Sequence, residues 1–190
     1  MELILIRHGL PERSHDSSDP PLSEIGRDQA RRVGAALARE KIDAVFASTM
    51  LRAIQTAEPY AALAGQEIAT HEGIVEFDRN SGSYTPLEVL KQEDYEAWKA
   101  FVQGGGDSDI AAFQRTVVET LESLVQAHRG RTVAVFCHGG VINVWTAHVL
   151  GMAPRLFFEP RYASVHRYLC AGTGERNLVC LNDVAHLREG

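Results

Sequence analysis

The sequence predicts an α/β fold: a three-layer sandwich with a mostly parallel central sheet, helices on both faces and a small cap over the carboxyl edge of that sheet. Two observations carry this. Apolar runs without alternation recur at residues 3–6, 43–48 and 132–137, the pattern of strands buried on both faces. Helical patterns lie between them, as βαβ units require. The 190 residues form one domain, 1–190, in which 73–106 breaks the rhythm and reads as the cap.

Element by element, the first run ends at Arg7-His8-Gly9, where glycine stops a strand. Ser23 is a good N-cap for a helix running to about Lys41, with Ile25, Val33 and Leu37 on one side and Arg27, Arg31 and Arg32 largely on others. After the run 43–48, Ser48 or Thr49 is expected to cap the next helix. The cap holds Asp78-Arg-Asn-Ser-Gly-Ser83, one acidic amphipathic helix with Leu87, Leu90, Trp98 and Phe101, and a flexible Gly104-Gly-Gly106 joint. The clearest helix spans 110–128, because Ile110, Phe113, Val117, Leu121, Leu124 and Val125 recur at three- and four-residue steps behind the cap candidates Asp107-Ser108-Asp109. Residues 164–170 and 177–181 read as two strands paired in a hairpin about Gly172-Thr-Gly174.

Composition narrows the function. With 45% apolar and 23% charged residues the chain is globular rather than disordered, and 19 basic against 25 acidic residues give a net charge of −6. That balance argues against nucleic acid or anionic membrane as partner, so a bound anion must sit in a local pocket. Cys137, Cys170 and Cys180 form no C-x-x-C pair and are odd in number, which suggests neither a disulfide framework nor a zinc cluster and fits a reducing cytoplasm. No apolar stretch reaches the length of a membrane span, and the start lacks signal-peptide character.

The chemistry-bearing residues collect at strand ends. His8 and His138 each directly follow an apolar run, and open α/β sheets bind ligands at that carboxyl edge. If the two strands are neighbours, both imidazoles face one crevice, with His8 accessible at its strand end and the helix start after Gly140 offering N–H groups to an anion. Arg52 falls in the first turn of the next helix, where a cation opposes the helix dipole and so invites another task. Arg7, Arg52 and two histidines around one crevice suit a dianion, and guanidinium geometry favours phosphate.

These residues also carry a resemblance. Leu5-Ile-Arg-His-Gly9, Pro21-Leu-Ser-Glu-Ile-Gly26 with Gln29-Ala30, Ser48-Thr-Met-Leu-Arg-Ala-Ile-Gln-Thr-Ala57 and Val135-Phe-Cys-His-Gly-Gly140 resemble, in order, the motifs of the histidine phosphatase superfamily, also called phosphoglycerate mutase-like. The resemblance implies a phosphohistidine at His8, with Arg7, Arg52, His138 and Gly139 around the phosphoryl oxygens and no metal or other cofactor required. It also implies a general acid in the segment where Glu76 stands, with Glu72 and Asp78 as runners-up. The expected function is hydrolysis of small phosphorylated metabolites; a phosphoglycerate mutase and a catalytically silent phosphoester-binding module are the alternatives. Two departures from the pattern stand out. Leu10 follows the R-H-G motif where the family has Thr or Glu, with Ser14 or His15 as possible replacement contacts, and Arg79-Asn-Ser-Gly-Ser83 replaces the customary Gly-x-x-Glu-Gly after Glu76.

Other signals are weaker. His71-Glu72-x-x-Glu76 ends in Glu, contains Gly73 and does not read as a helix, so it is not a zinc-protease motif. Cys137 reads as core, and His15, His128, His148, His166 and His186 show no ligand spacing.

Overall fold

The structure, a computed structural model, describes residues 1–14, 16–77, 79, 85, 87–102 and 110–188. In chain order its elements are β1 (Glu2–Arg7), α1 (Glu24–Leu37), β2 (Ala44–Ser48), α2 (Leu51–Ala64), β3 (Ile68–His71), α3 (Leu87–Glu93), α4 (Tyr95–Val102), α5 (Ile110–Ala127), β4 (Thr132–Cys137), α6 (Gly139–Val149), β5 (Val165–Cys170) and β6 (Arg176–Asp183). The sheet order is β3-β2-β4-β1-β5-β6. The first four strands in that order run parallel, whereas β5 is antiparallel to β1 and pairs with β6 as the expected hairpin.

The unbroken apolar runs follow from this layering. Along β1, Leu3 and Leu5 face the core with Val117 and Leu121 of α5 and Val141 and Trp145 of α6. Ile4 and Ile6 face the opposite core with Val33 and Leu37 of α1 and Ala57 and Tyr60 of α2. Because successive side chains point to opposite faces, a strand covered on both sides must be apolar throughout. Each fully buried side chain of this kind contributes roughly 1.5–3 kcal/mol.

Four expectations need correction. Helix α1 ends at Leu37, not near Lys41: the Ala38 N–H closes on Gly34 O and Ala36 O, and the next residues turn so that Asp43 N reaches Thr132 O beside β2. Its inner face is also shifted. Ile25 is 61% exposed, and the helix packs through Gly26, Ala30, Val33, Gly34 and Leu37. Small residues permit a close approach there; a Cβ on Gly34 would lie 2.9 Å from Tyr60 N on α2. Neither Ser48 nor Thr49 caps α2, whose N-cap is Met50 without a side-chain bond; the Leu51 N–H is instead taken by Asp19 Oδ2 at 2.9 Å. Finally, the single helix expected between 87 and 101 is two helices, because Asp94 ends α3 and its Oδ1 accepts the Ala97 N–H to start α4.

The Ser23 cap is as expected, with its Oγ accepting the Gly26 N–H at 3.1 Å. The cap candidates 107–109 and the glycine joint lie outside the described residues. Strand β3 had no sequence expectation. Among the described residues no helix is long and apolar enough to cross a membrane.

Candidate active site

Strands β1 and β4 are parallel neighbours, with Arg7 opposite Cys137. The residues that follow them therefore emerge side by side, and the His8 N–H bonds Cys137 O at 3.0 Å. The two imidazole rings lie 5.1 Å apart between centroids. Backbone packing holds this edge: a Cβ on Gly9 would lie 2.6 Å from Gly26 O, and one on Gly26 would overlap Leu10 O, so the loop after β1 sits against the start of α1 only with glycine at both positions.

His8 is 2% exposed, more enclosed than an open strand end. Its Nδ1 lies 2.8 Å from Gly9 O, so that nitrogen carries the proton. Nε2 accepts from Arg52 Nε at 3.3 Å and keeps its lone pair on the Arg52 side. Burial is the main influence holding the His8 pKa well below its ordinary value; Arg52, His138 and Arg7 act in the same direction. The neighbouring charges come second to burial. His138 is likewise held neutral by burial, then by Arg52 and Arg7.

Arg52, fully buried in the first turn of α2, donates through Nη1 to Ser18 O at 3.1 Å and to Asp19 Oδ1 at 3.3 Å. Asp19 thus balances a cation at a helix N-terminus and also accepts that helix's Leu51 N–H. Arg7 donates to Pro160 O and lies 3.9 Å over the Tyr162 ring, whose centroid is 5.7 Å from His8. The loop carrying Pro160 and Tyr162 includes Ala163 in the left-handed region, at φ 54°. Its N–H bonds His8 O and its carbonyl meets His186 Nε2, bonds that hold a costly backbone conformation beside the site.

Glu76 reaches the same edge. Its Oε2 accepts the Gly140 N–H in the first turn of α6 at 3.0 Å, and its Oε1 accepts Phe77 N–H at 3.2 Å. A Cβ on Gly140 would overlap Glu76 Oε1. Gly140→Ala should therefore displace this carboxylate; with Glu76 as the general acid that the resemblance implies, kcat should fall roughly 100-fold with little loss of phosphate affinity, read from steady-state kinetics beside phosphate competition. An unchanged kcat would show that the position of Glu76 is immaterial.

The runners-up fare differently. Glu72 is exposed and bonded by Arg79 at 2.7 Å, which lowers its pKa, the wrong direction for a proton donor. Asp78 and His15 lie outside the described residues. Ser14 Oγ accepts the Asp16 N–H at 3.3 Å, a bond within its own loop. Of the motif residues, Gly139 begins α6 immediately after His138, with its Cβ position facing Arg7 Nε at 3.7 Å. Sequence reasoning missed Asp19, Pro160 and Tyr162, and assigned Ser48 to the wrong bond. Among the described residues no group of three or more His, Cys, Asp or Glu side chains could hold a metal.

His166, in β5, is fully buried, its Nε2 2.8 Å from Ser164 Oγ and its Nδ1 accepting Asn182 N–H. Burial and Arg7 lower its pKa to about 3. Unfolding returns it to roughly 6.5, so the unfolded chain takes up its proton first and stability falls as pH drops below that value. Between pH 7.5 and 5, His166 alone should cost about 2 kcal/mol of folding stability. Urea midpoints of wild type and His166→Gln should diverge in this direction; parallel pH profiles would contradict it.

A neutral histidine with one lone pair, two buried guanidiniums and a helix start define a site for phosphoryl transfer. Residues 3–184 match the histidine phosphatase superfamily (branch 1), and the chain belongs to that family. It is 28% identical over 208 aligned positions to phosphoserine phosphatase 1 of Hydrogenobacter thermophilus, covering 100% of this chain and 95% of the relative. Phosphoglycerate mutase-like protein 4 of Arabidopsis thaliana is 30% identical over 157 positions, covering 75% of this chain and 68% of that one. The solved structure of Bacillus stearothermophilus YhfR superposes with a TM-score of 0.84 at 26% identity, covering 98% of this chain and 99% of the other.

Proposed function

We propose that hydrolysis of small phosphate monoesters by this chain runs through a phosphohistidine on His8 Nε2, with Glu76 as the general acid. The observation that carries this reading is the His8 Nδ1 bond to Gly9 O, which leaves Nε2 as the nucleophilic nitrogen in a residue kept neutral. Nε2 attacks phosphorus, the ester P–O bond breaks, and the leaving oxygen takes the proton of Glu76. The Glu76 carboxylate then accepts a proton from water as that water attacks phosphorus, the P–N bond breaks, and phosphate leaves with His8 restored. Arg7, Arg52, His138 and Gly139 surround the phosphoryl oxygens and oppose the charge that develops on them.

In this reading residues 73–106 form a cap that limits the substrate to a small molecule. Ties between the described part of that segment and the loop after β1 support it: Ser18 Oγ donates to Arg79 O at 2.7 Å, and Arg13 approaches Glu93 at 3.8 Å. The relative aligned along the whole chain is a phosphoserine phosphatase, which favours hydrolysis over transfer. Three free thiols fit a cytoplasmic setting.

The test is phosphate release from a panel of phosphate monoesters with a chelator present. Release that persists under chelation is expected and would rank the substrates. No release, with interconversion of phosphoglycerates, would support the mutase reading. Phosphate binding without either activity would support the silent module.

A further inference from the structure

Ser48 ends β2, is fully buried, and has no task in the mechanism above. Its Oγ accepts the Met50 N–H at 3.2 Å and lies 2.6 Å from His138 Nε2. A buried hydroxyl has one proton to donate, and among the described residues the acceptor that its contacts offer is His138 Nε2. His138 is neutral, for burial and two guanidiniums oppose its protonation. An imidazole that accepts at Nε2 carries its single proton on Nδ1.

His138 Nδ1 is itself buried and without a hydrogen-bond partner among the described residues. An N–H left in that condition is costly, which marks it as a donor awaiting an acceptor. The strand order explains where that acceptor must come from. Strand β4 lies between β2 and β1, so Ser48 approaches His138 from one flank while His8 stands on the other. The opposite tautomer would turn a lone pair of Nδ1 toward a bound anion.

We infer that Ser48 is a positioning residue that fixes His138 as its Nδ1–H tautomer, so that a neutral imidazole donates Nδ1–H to a phosphoryl oxygen of the substrate. The inference rests on the phosphoryl-transfer reading of the site. No proton is consumed in this role: the Nδ1 proton stays on His138, and the Ser48 proton stays on its hydroxyl throughout the cycle. Ser48 thereby links the Met50 N–H, at the entry to the helix that carries Arg52, to the second histidine of the site.

The test is a long-range 1H–15N spectrum of the histidine rings in the substrate-free protein at pH 7.5, with His138 assigned through loss of its signals in His138→Gln. The wild type should show a protonated Nδ1 and an unprotonated Nε2. Ser48→Ala should give a tautomer mixture and lower kcat roughly 10- to 100-fold, and Ser48→Thr, which keeps the hydroxyl, should restore both. A wild-type His138 protonated on Nε2 would overturn the inference, whether or not the alanine variant folds. So would a Ser48→Ala protein whose His138 tautomer and kcat match the wild type. Failure of the underlying reading is separable, since it shows as absent phosphate release while the tautomer is observed without substrate.

Discussion

His8→Ala is expected to lower kcat/KM on phosphate monoesters by on the order of 10⁴-fold or more, because the proposed mechanism bonds phosphorus to His8 Nε2. The fold should survive the change. His8 is enclosed, but its side-chain hydrogen bonds run to the adjacent Gly9 carbonyl and to Arg52, at the carboxyl ends of the parallel strands rather than within the apolar layers of either core. Phosphate should still bind, since Arg7, Arg52 and His138 are retained. Thermal unfolding, phosphate affinity and turnover measured together check this. A folded His8→Ala protein with near wild-type turnover would end the nucleophile assignment.

The second large effect depends on the leaving group. Glu76→Gln keeps the size of the side chain and an oxygen able to accept the Gly140 or Phe77 N–H, but it removes the transferable proton. Alkyl phosphates need that proton as the P–O bond breaks, so kcat/KM, which reports the steps through that cleavage, should fall roughly 10²- to 10⁴-fold. Activated aryl phosphates expel a stable aryloxide that needs no proton, and should lose far less in the same parameter. The ratio of the two losses is the readout. Equal losses would assign the acid elsewhere, and Glu72, paired with Arg79, is poorly suited to replace it.

The core strands were legible because burial on both faces writes an unbroken apolar run, and β1, β2 and β4 fall within residues of where those runs lie. Strand β3 was not, since it forms the sheet edge and exposes Ala69, Thr70 and His71, leaving no pattern to read. The inner face of α1 was misjudged for a related reason. A face built of Gly26, Ala30 and Gly34 packs by close approach, whereas a search for large apolar side chains selects the exposed Ile25.

The site divides in the same way. Arg7, His8, Arg52 and His138 were readable from their place at strand ends and in a helix's first turn, positions that local sequence does encode. Their supports were not. Asp19 meets Arg52 across 33 residues, Ser48 meets His138 across 90, and Pro160 meets Arg7 across 153. Side-chain pairings at such separations leave no local signature, so a serine after a strand reads as a helix cap until the neighbouring strand is in place.

A covalent bond between His8 and phosphorus can be trapped during turnover. Enzyme mixed with a 32P-labelled monoester and quenched in alkali during turnover should carry label that is stable to alkali and lost in acid, and peptide mapping should place it on the segment containing His8. The same quench of His8→Ala should recover no labelled protein. Label on another residue, or no label with slowly hydrolysed substrates while wild-type turnover proceeds, would rule out a phosphohistidine at His8.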